Sequence, residues 1–284
     1  MDGVLTIPFL GNIPRHGNKK GGDSDGIVVR ENSRDSVSEA FRIIRTNMDF
    51  MRVKSDKLQV VMFTSANPGA GKTFVSSNLA MSIAQTNKRV VLIDVDIRKG
   101  TLSGIFSNSS NRMGLTHYLS GSTDKVDDIV GTSEEYEKLD VIFSGPVPPN
   151  PAELLLSERF DRLITELRKR YDYIIVDNVP AGMVADASIV NRVADLTIFV
   201  VRSGVMDRRQ LPELENMYRQ EQLRNMSVIL NGVPSDHKGY GYGYGYGYGY
   251  GYGYGYGYGD ENHDHKHGKC KSLKNLFSCF LKRS

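Results

Sequence analysis

The sequence predicts an α/β protein, a mostly parallel sheet with helices on both faces. Three observations carry this. Apolar runs of strand type alternate with helical stretches through the middle of the chain. One strand-to-helix junction, Ala66-Asn67-Pro68-Gly69-Ala70-Gly71-Lys72-Thr73, has the residues of a phosphate-binding loop, with Ala66 at the place of the usual first glycine. Three acidic residues, Asp94, Asp96 and Asp177, follow strand-type runs, at the carboxyl ends where ligands of such sheets bind. Together they specify a sheet of the P-loop NTPase type.

The 284 residues suffice for one large α/β domain or two small ones, and 39% hydrophobic content allows a real core. A net charge of +3 is too small to point to nucleic acid. Both cysteines, Cys270 and Cys279, lie near the C-terminus. The globular part therefore has no disulfide framework, which fits a reducing cytoplasm. No apolar run reaches transmembrane length and no signal peptide is visible.

Taken in order, residues 1–35 read as a mobile linker or arm, with Pro8 and Pro14 breaking any helix. The globular domain spans 36–236. Its first helix is Ser36–Arg52, with Val37, Ala40, Phe41, Ile44, Met48 and Met51 as the apolar stripe and Ser36-x-x-Glu39 as a capping box. Strands follow at Leu58–Thr64, Arg89–Asp94, Leu139–Ser144, Asp172–Asp177, Asp195–Arg202 and Met226–Asn231. Helices are expected at Phe74–Gln85, Glu153–Arg170, Ala187–Val193 and Gln210–Gln222. Pro146 to Pro151 is a stiff connection.

The loop's small residues let backbone N–H groups close around phosphate oxygens, and the helix N-terminus adds partial positive charge. Lys72 would reach the β- and γ-phosphates, and the Thr73 hydroxyl would sit on Mg²⁺. Asp94 and Asp96 alternate after Val91-Leu92-Ile93 and so share a side, while Asp177 follows Tyr173-Ile174-Ile175-Val176. Three such carboxylates beside a phosphate loop suit a Mg²⁺ and acid–base set. Glu39, Arg42 and Arg45 fall three apart beside the stripe; spacing alone makes them a cap and a solvated face.

Residues 237–268 form a low-complexity tail. Tyr240, Tyr242, Tyr244, Tyr246, Tyr248, Tyr250, Tyr252, Tyr254, Tyr256 and Tyr258 alternate strictly with glycine. Extended, their phenols would share one face. The tract reads either as an aromatic linker or as a cluster of phosphate acceptors. Full phosphorylation of those ten tyrosines would add roughly −15 to −20 charges, at about −1.5 to −2 each. His263, His265 and His267 read as a polar spacer or a metal site. Residues 269–284 place Leu273, Leu276, Phe277, Phe280 and Leu281 at helical spacing among lysines. That suits a basic amphipathic helix on an anionic membrane, or equally a terminal helix docking on protein.

These motifs resemble the bacterial tyrosine kinases (BY-kinases), the cytoplasmic kinase domains of capsular and exopolysaccharide co-polymerases. Ala66–Thr73 resembles that family's Walker A loop, Val91–Arg98 its Walker A′ motif, and Ile174–Pro180 its Walker B, with Val179 where proline is common. Glu39-x-x-Arg42-x-x-Arg45, the segment Gly145–Leu155 and the tyrosine repeat also have counterparts there. The resemblance implies an ATP-dependent, Mg²⁺-dependent protein-tyrosine kinase that autophosphorylates its tail in trans. Pro68, Gly69, Ala70, Gly71, Lys72, Thr73 and Phe74 would bind the nucleotide's phosphates, and Arg202 and Asn231 are weaker candidates for its base end. Thr73, Asp96 and Asp177 would hold the metal and Asp94 would take the tyrosine proton, the three carboxylates being interchangeable on sequence alone. Glu39, Arg42 and Arg45 would build the contacts of a homo-oligomeric ring.

Further partners implied are a membrane domain, of the same chain or another, and a protein-tyrosine phosphatase. The expected location is the cytoplasmic face of the bacterial inner membrane. Ile7–Pro14 resembles the stretch after the second transmembrane helix in fused family members, which favours a fragment of a longer chain. Two rival functions remain to be weighed. A partitioning-type switch ATPase shares the sheet but carries lysine where this chain has Asn67. A non-catalytic scaffold would use the Tyr-Gly tract for assembly.

Overall fold

The structure is a computed structural model and describes residues 5–16, 26–52, 58–106, 113–132, 137–181 and 186–234. The tyrosine repeat, His263, His265 and His267, and the basic C-terminal stretch lie outside the described residues. An eight-stranded sheet runs in the order β1-β8-β7-β2-β6-β3-β5-β4. The strands are β1 (Phe9–Pro14), β2 (Val60–Thr64), β3 (Val90–Asp94), β4 (Gly131–Thr132), β5 (Leu139–Ile142), β6 (Tyr173–Asp177), β7 (Leu196–Arg202) and β8 (Met226–Val233). All neighbours are parallel except β4 and β5.

The six predicted strands are present, each within two residues at either end. They were readable because both faces of the sheet are covered: β2, β3 and β6 are buried at every position. Such strands lose the polar–apolar alternation of a half-exposed sheet.

The helices are α1 (Ser36–Arg52), α2 (Lys72–Ala84), α3 (Leu115–Leu119), α4 (Pro151–Leu156), α5 (Glu158–Arg170), α6 (Asp186–Asn191) and α7 (Leu211–Arg219). On one face α1 and α2 enclose a core with Phe41, Ile44, Met48 and Leu79. On the other, α3 to α7 contribute Leu115, Leu155, Phe160, Val190 and Leu214. Each large side chain so buried stabilises the fold by about 1.5–3 kcal/mol.

Three features differ from the sequence reading. The arm is not all linker: β1 extends the sheet beside β8, and Leu10 and Ile13 are core residues. Just before it, Thr6 donates from its amide and hydroxyl to the Glu215 carboxylate at 3.0 and 2.7 Å. The expected helix Glu153–Arg170 is two helices, because Ser157 between them is extended (ψ 152°). Finally, α1 is capped by Asp35, not Ser36. Asp35 Oδ1 accepts from the Val37 and Ser38 amides, each at 2.9 Å. Among the described residues no helix is long and apolar enough to cross a membrane.

Candidate active site

The phosphate-type loop lies between the carboxyl end of β2 and the first turn of α2. Gly69 (φ 75°) and Gly71 (φ 87°) take the left-handed conformation that lets the chain fold back on itself. Gly71 is also where β8 closes against the loop. A Cβ there would lie 2.3 Å from Asn231 Nδ2, which instead donates to the Ala70 carbonyl at 2.9 Å. Arg202, at the end of β7, donates through Nη1 to the Gly69 carbonyl at 2.6 Å. Both residues expected near the base end therefore brace the loop's own backbone. Pro68 and Gly69 are exposed, and Ala70 is buried beneath them. The half-buried Phe74 turns its ring edge-on to Phe41, centroids 6.0 Å apart. Its backbone N–H is thus the part of Phe74 available at the helix N-terminus.

Lys72 Nζ donates to Ser65 Oγ at 3.4 Å. Burial pulls its pKa down, and the nearby Asp177 and Asp96 carboxylates oppose that. The Thr73 hydroxyl is 3.2 Å from that of Thr101.

The acidic set comes from two adjacent strands. In the register of β3 and β6, Asp94 pairs with Asp177, and both side chains are buried. Asp94 Oδ1 and Oδ2 accept from the Asp96 and Leu102 amides, each at 3.1 Å. Burial and the Asp177 charge nevertheless push Asp94 up to about 7. Burial also raises Asp177, to about 6, with the Thr73 hydroxyl and Lys72 pulling it back. Asp177 Oδ1 is buried without a hydrogen-bond partner. Asp96 is half-buried just beyond β3.

An orphaned buried carboxylate oxygen near the Thr73 hydroxyl fits a hard cation. Among the described residues no group of three or more His, Cys, Asp or Glu side chains is placed to hold a metal ion. Mg²⁺ commonly takes only one or two protein carboxylates and completes its shell with water and phosphate oxygens.

The sequence reading missed Ser65, Thr101 and the Leu102 amide. Thr101 follows the Asp94–Arg98 motif closely, but only the turn after β3 brings it to Thr73. The expected surface set behaves differently. Glu39 and Arg42 form a partly exposed ion pair at 2.9 Å, while Arg45 turns inward to the Ser82 carbonyl and hydroxyl. The ten tyrosines lie outside the described residues.

The sheet and its loop define a P-loop nucleotide-binding protein of the α/β class. A family model described as an AAA domain matches residues 58–219. The chain is 37% identical over 195 residues to tyrosine-protein kinase CpsD of Streptococcus pneumoniae, covering 69% of this chain and 84% of CpsD. It is 40% identical over 204 residues to tyrosine-protein kinase YwqD of Bacillus subtilis, covering 72% and 84%. The kinase domain of Escherichia coli tyrosine kinase ETK superposes with a TM-score of 0.70 at 33% identity, covering 84% of this chain and 95% of that domain. This chain belongs to the bacterial tyrosine-protein kinases, and it is an enzyme of that kind.

Proposed function

We propose that the chain transfers the γ-phosphoryl group of ATP to tyrosines of its own C-terminal repeat, from one copy to the tail of the next. What supports this most is a single juxtaposition: a Lys72–Thr73 phosphate loop facing a buried carboxylate pair, in a chain whose tail carries ten regularly spaced tyrosines. The amides of the Gly69–Phe74 turn surround the phosphates, and Lys72 Nζ neutralises their β- and γ-oxygens. Thr73, Asp96 and Asp177 would hold Mg²⁺, which when bound would offset the charge of the triphosphate. Asp94, raised to about 7, is tuned to accept a proton near neutral pH. As the tyrosine Oη–phosphorus bond forms, the bond from phosphorus to the β-phosphate bridging oxygen breaks. ADP leaves, and the phenolic proton passes to the Asp94 carboxylate.

In this reading Glu39, Arg42 and Arg45 join subunits into a ring attached to a membrane domain at the cytoplasmic face. Charge building up on the tails pushes the ring apart, and a protein-tyrosine phosphatase lets it reform. The cycle regulates capsular or exopolysaccharide synthesis and export. The test is incubation with Mg-ATP followed by phosphosite mapping on Tyr240–Tyr258 by mass spectrometry. Phosphotyrosine that vanishes in Lys72→Met supports the proposal. A tail without phosphate, from protein that still binds nucleotide, sinks it.

A further inference from the structure

We propose that the apolar loop after β5, centred on Val147, is the docking rim for the acceptor tail of a neighbouring copy. It grips the aromatic rings that flank the tyrosine being phosphorylated. This rests on the kinase reading above. The loop leaves the carboxyl end of β5, the strand paired with β3. Ile93 and Ile142 are register partners on β3 and β5, so the two chains leave the sheet side by side next to Asp94. They stay close beyond it, since a Cβ on Gly100 would meet Ser144 Oγ at 2.7 Å.

Past Ser144 the chain turns outward at Gly145 (φ 81°), which packs on Gly114 so tightly that a Cβ on Gly114 would be 2.5 Å from its backbone. Two further hydrogen bonds, from Leu115 N to Phe143 O and from Thr116 N to Ser144 O, hold this crossing in place. The rim is therefore anchored. Val147 is 68% exposed, Pro146 and Pro149 are exposed too, and Met113, which precedes Gly114, is 40% exposed. From Gly145 to Ala152 the rim has no charged residue.

The tail supplies the matching chemistry. Its tyrosines recur every second residue. In an extended chain such positions share one face about 6.5–7 Å apart. With one phenol at Asp94, the next ring on that face falls beyond the carboxylates, where an apolar platform is needed to cover it. Strand β8 ends at Val233 on the same end of the sheet as the carboxylates, seven residues before Tyr240.

The test uses full chains. The acceptor is a Lys72→Met chain keeping Tyr250 as its sole repeat tyrosine, with the other nine changed either to Phe, which keeps the rings, or to Ala, which removes them. The enzyme is the wild-type chain, Val147→Leu or Val147→Asp, and the readout is the initial rate of label on Tyr250. Wild type and Val147→Leu should label the Phe-flanked acceptor roughly tenfold faster than the Ala-flanked one, the scale of one aromatic contact. Val147→Asp should slow only the Phe-flanked acceptor, making the two rates equal, with Mg-ATP affinity unchanged. Equal rates with wild type, or a preference that survives Val147→Asp, overturns the docking rim. Failure of the kinase reading looks different: no label on any acceptor, the native ten-tyrosine tail included.

Discussion

Asp94 and Asp177 are direct register partners on β3 and β6, two buried carboxylates side by side at the carboxyl end of the sheet. Burial and the charge of a neighbouring carboxylate disfavour the ionised form of each.

Replacing Asp177 by Asn should abolish kinase activity and yet stabilise the nucleotide-free protein at pH 8. An unfolded Asp titrates near 3.8, but the folded pair titrates at about 6 and about 7. Between these limits the native state holds protons that the unfolded chain has released. Stability from this pair is therefore highest below pH 4, declines as pH rises to about 7, and stays low above. The Asn variant should gain on the order of 1–3 kcal/mol at pH 8 and show a flatter profile in urea denaturation from pH 5 to 8. A loss of stability at pH 8 would contradict this.

Gly71→Ala should impair nucleotide binding. The added methyl must take the left-handed conformation and displace Asn231 Nδ2, so it strains the loop and breaks the bond to Ala70. The backbone strain alone is about 1 kcal/mol. Binding of a fluorescent ATP analogue should weaken by roughly tenfold or more, since the closure of the loop is lost as well. Asn231→Ala, which keeps the glycine, should fall between this variant and wild type.

Arg45→Ala and Glu39→Ala should separate folding from assembly. Arg45 donates to Ser82 from a half-buried position, so its loss leaves the α2 carbonyl without that donor and should lower stability by about 1–3 kcal/mol in the monomer. Glu39 makes only a partly exposed ion pair, worth about 0–1 kcal/mol. If both variants disrupt oligomers in sedimentation but only the first melts earlier, Glu39 is the cleaner probe of assembly.

Ile13→Ala should cost about 2–5 kcal/mol in chemical denaturation, because this β1 side chain is fully buried. A shift of a few tenths of a kcal/mol would return the arm to linker status.

Much of the fold was legible in the residues. The central strands announce themselves as apolar runs, and α1 through its stripe of Val37, Phe41, Ile44 and Met48. β1 was not legible, because Gly11, Asn12 and Pro14 argue locally against a strand. Pro14 is tolerated there because β1 is the edge strand of the sheet. The break at Ser157 was hidden because the apolar spacing runs on across it. At the candidate site, Lys72, Thr73 and the three carboxylates were singled out by motif, and the fold brings them to one end of the sheet. The bracing of Ala70 by Asn231 joins residues 161 positions apart, and no local pattern encodes that.

The placement of β8 has a mechanical consequence. Its neighbours β1 and β7 both run parallel to it, and its last residues carry Asn231 against the nucleotide loop before the chain continues toward the repeat. A pull on the tail would load β8 along its length, where two ladders of hydrogen bonds resist sliding together. Tension reaching Asn231 would bear on the Ala70 carbonyl directly. The strand from which the chain runs on toward the repeat is thus also the strand that steadies the phosphate-type loop.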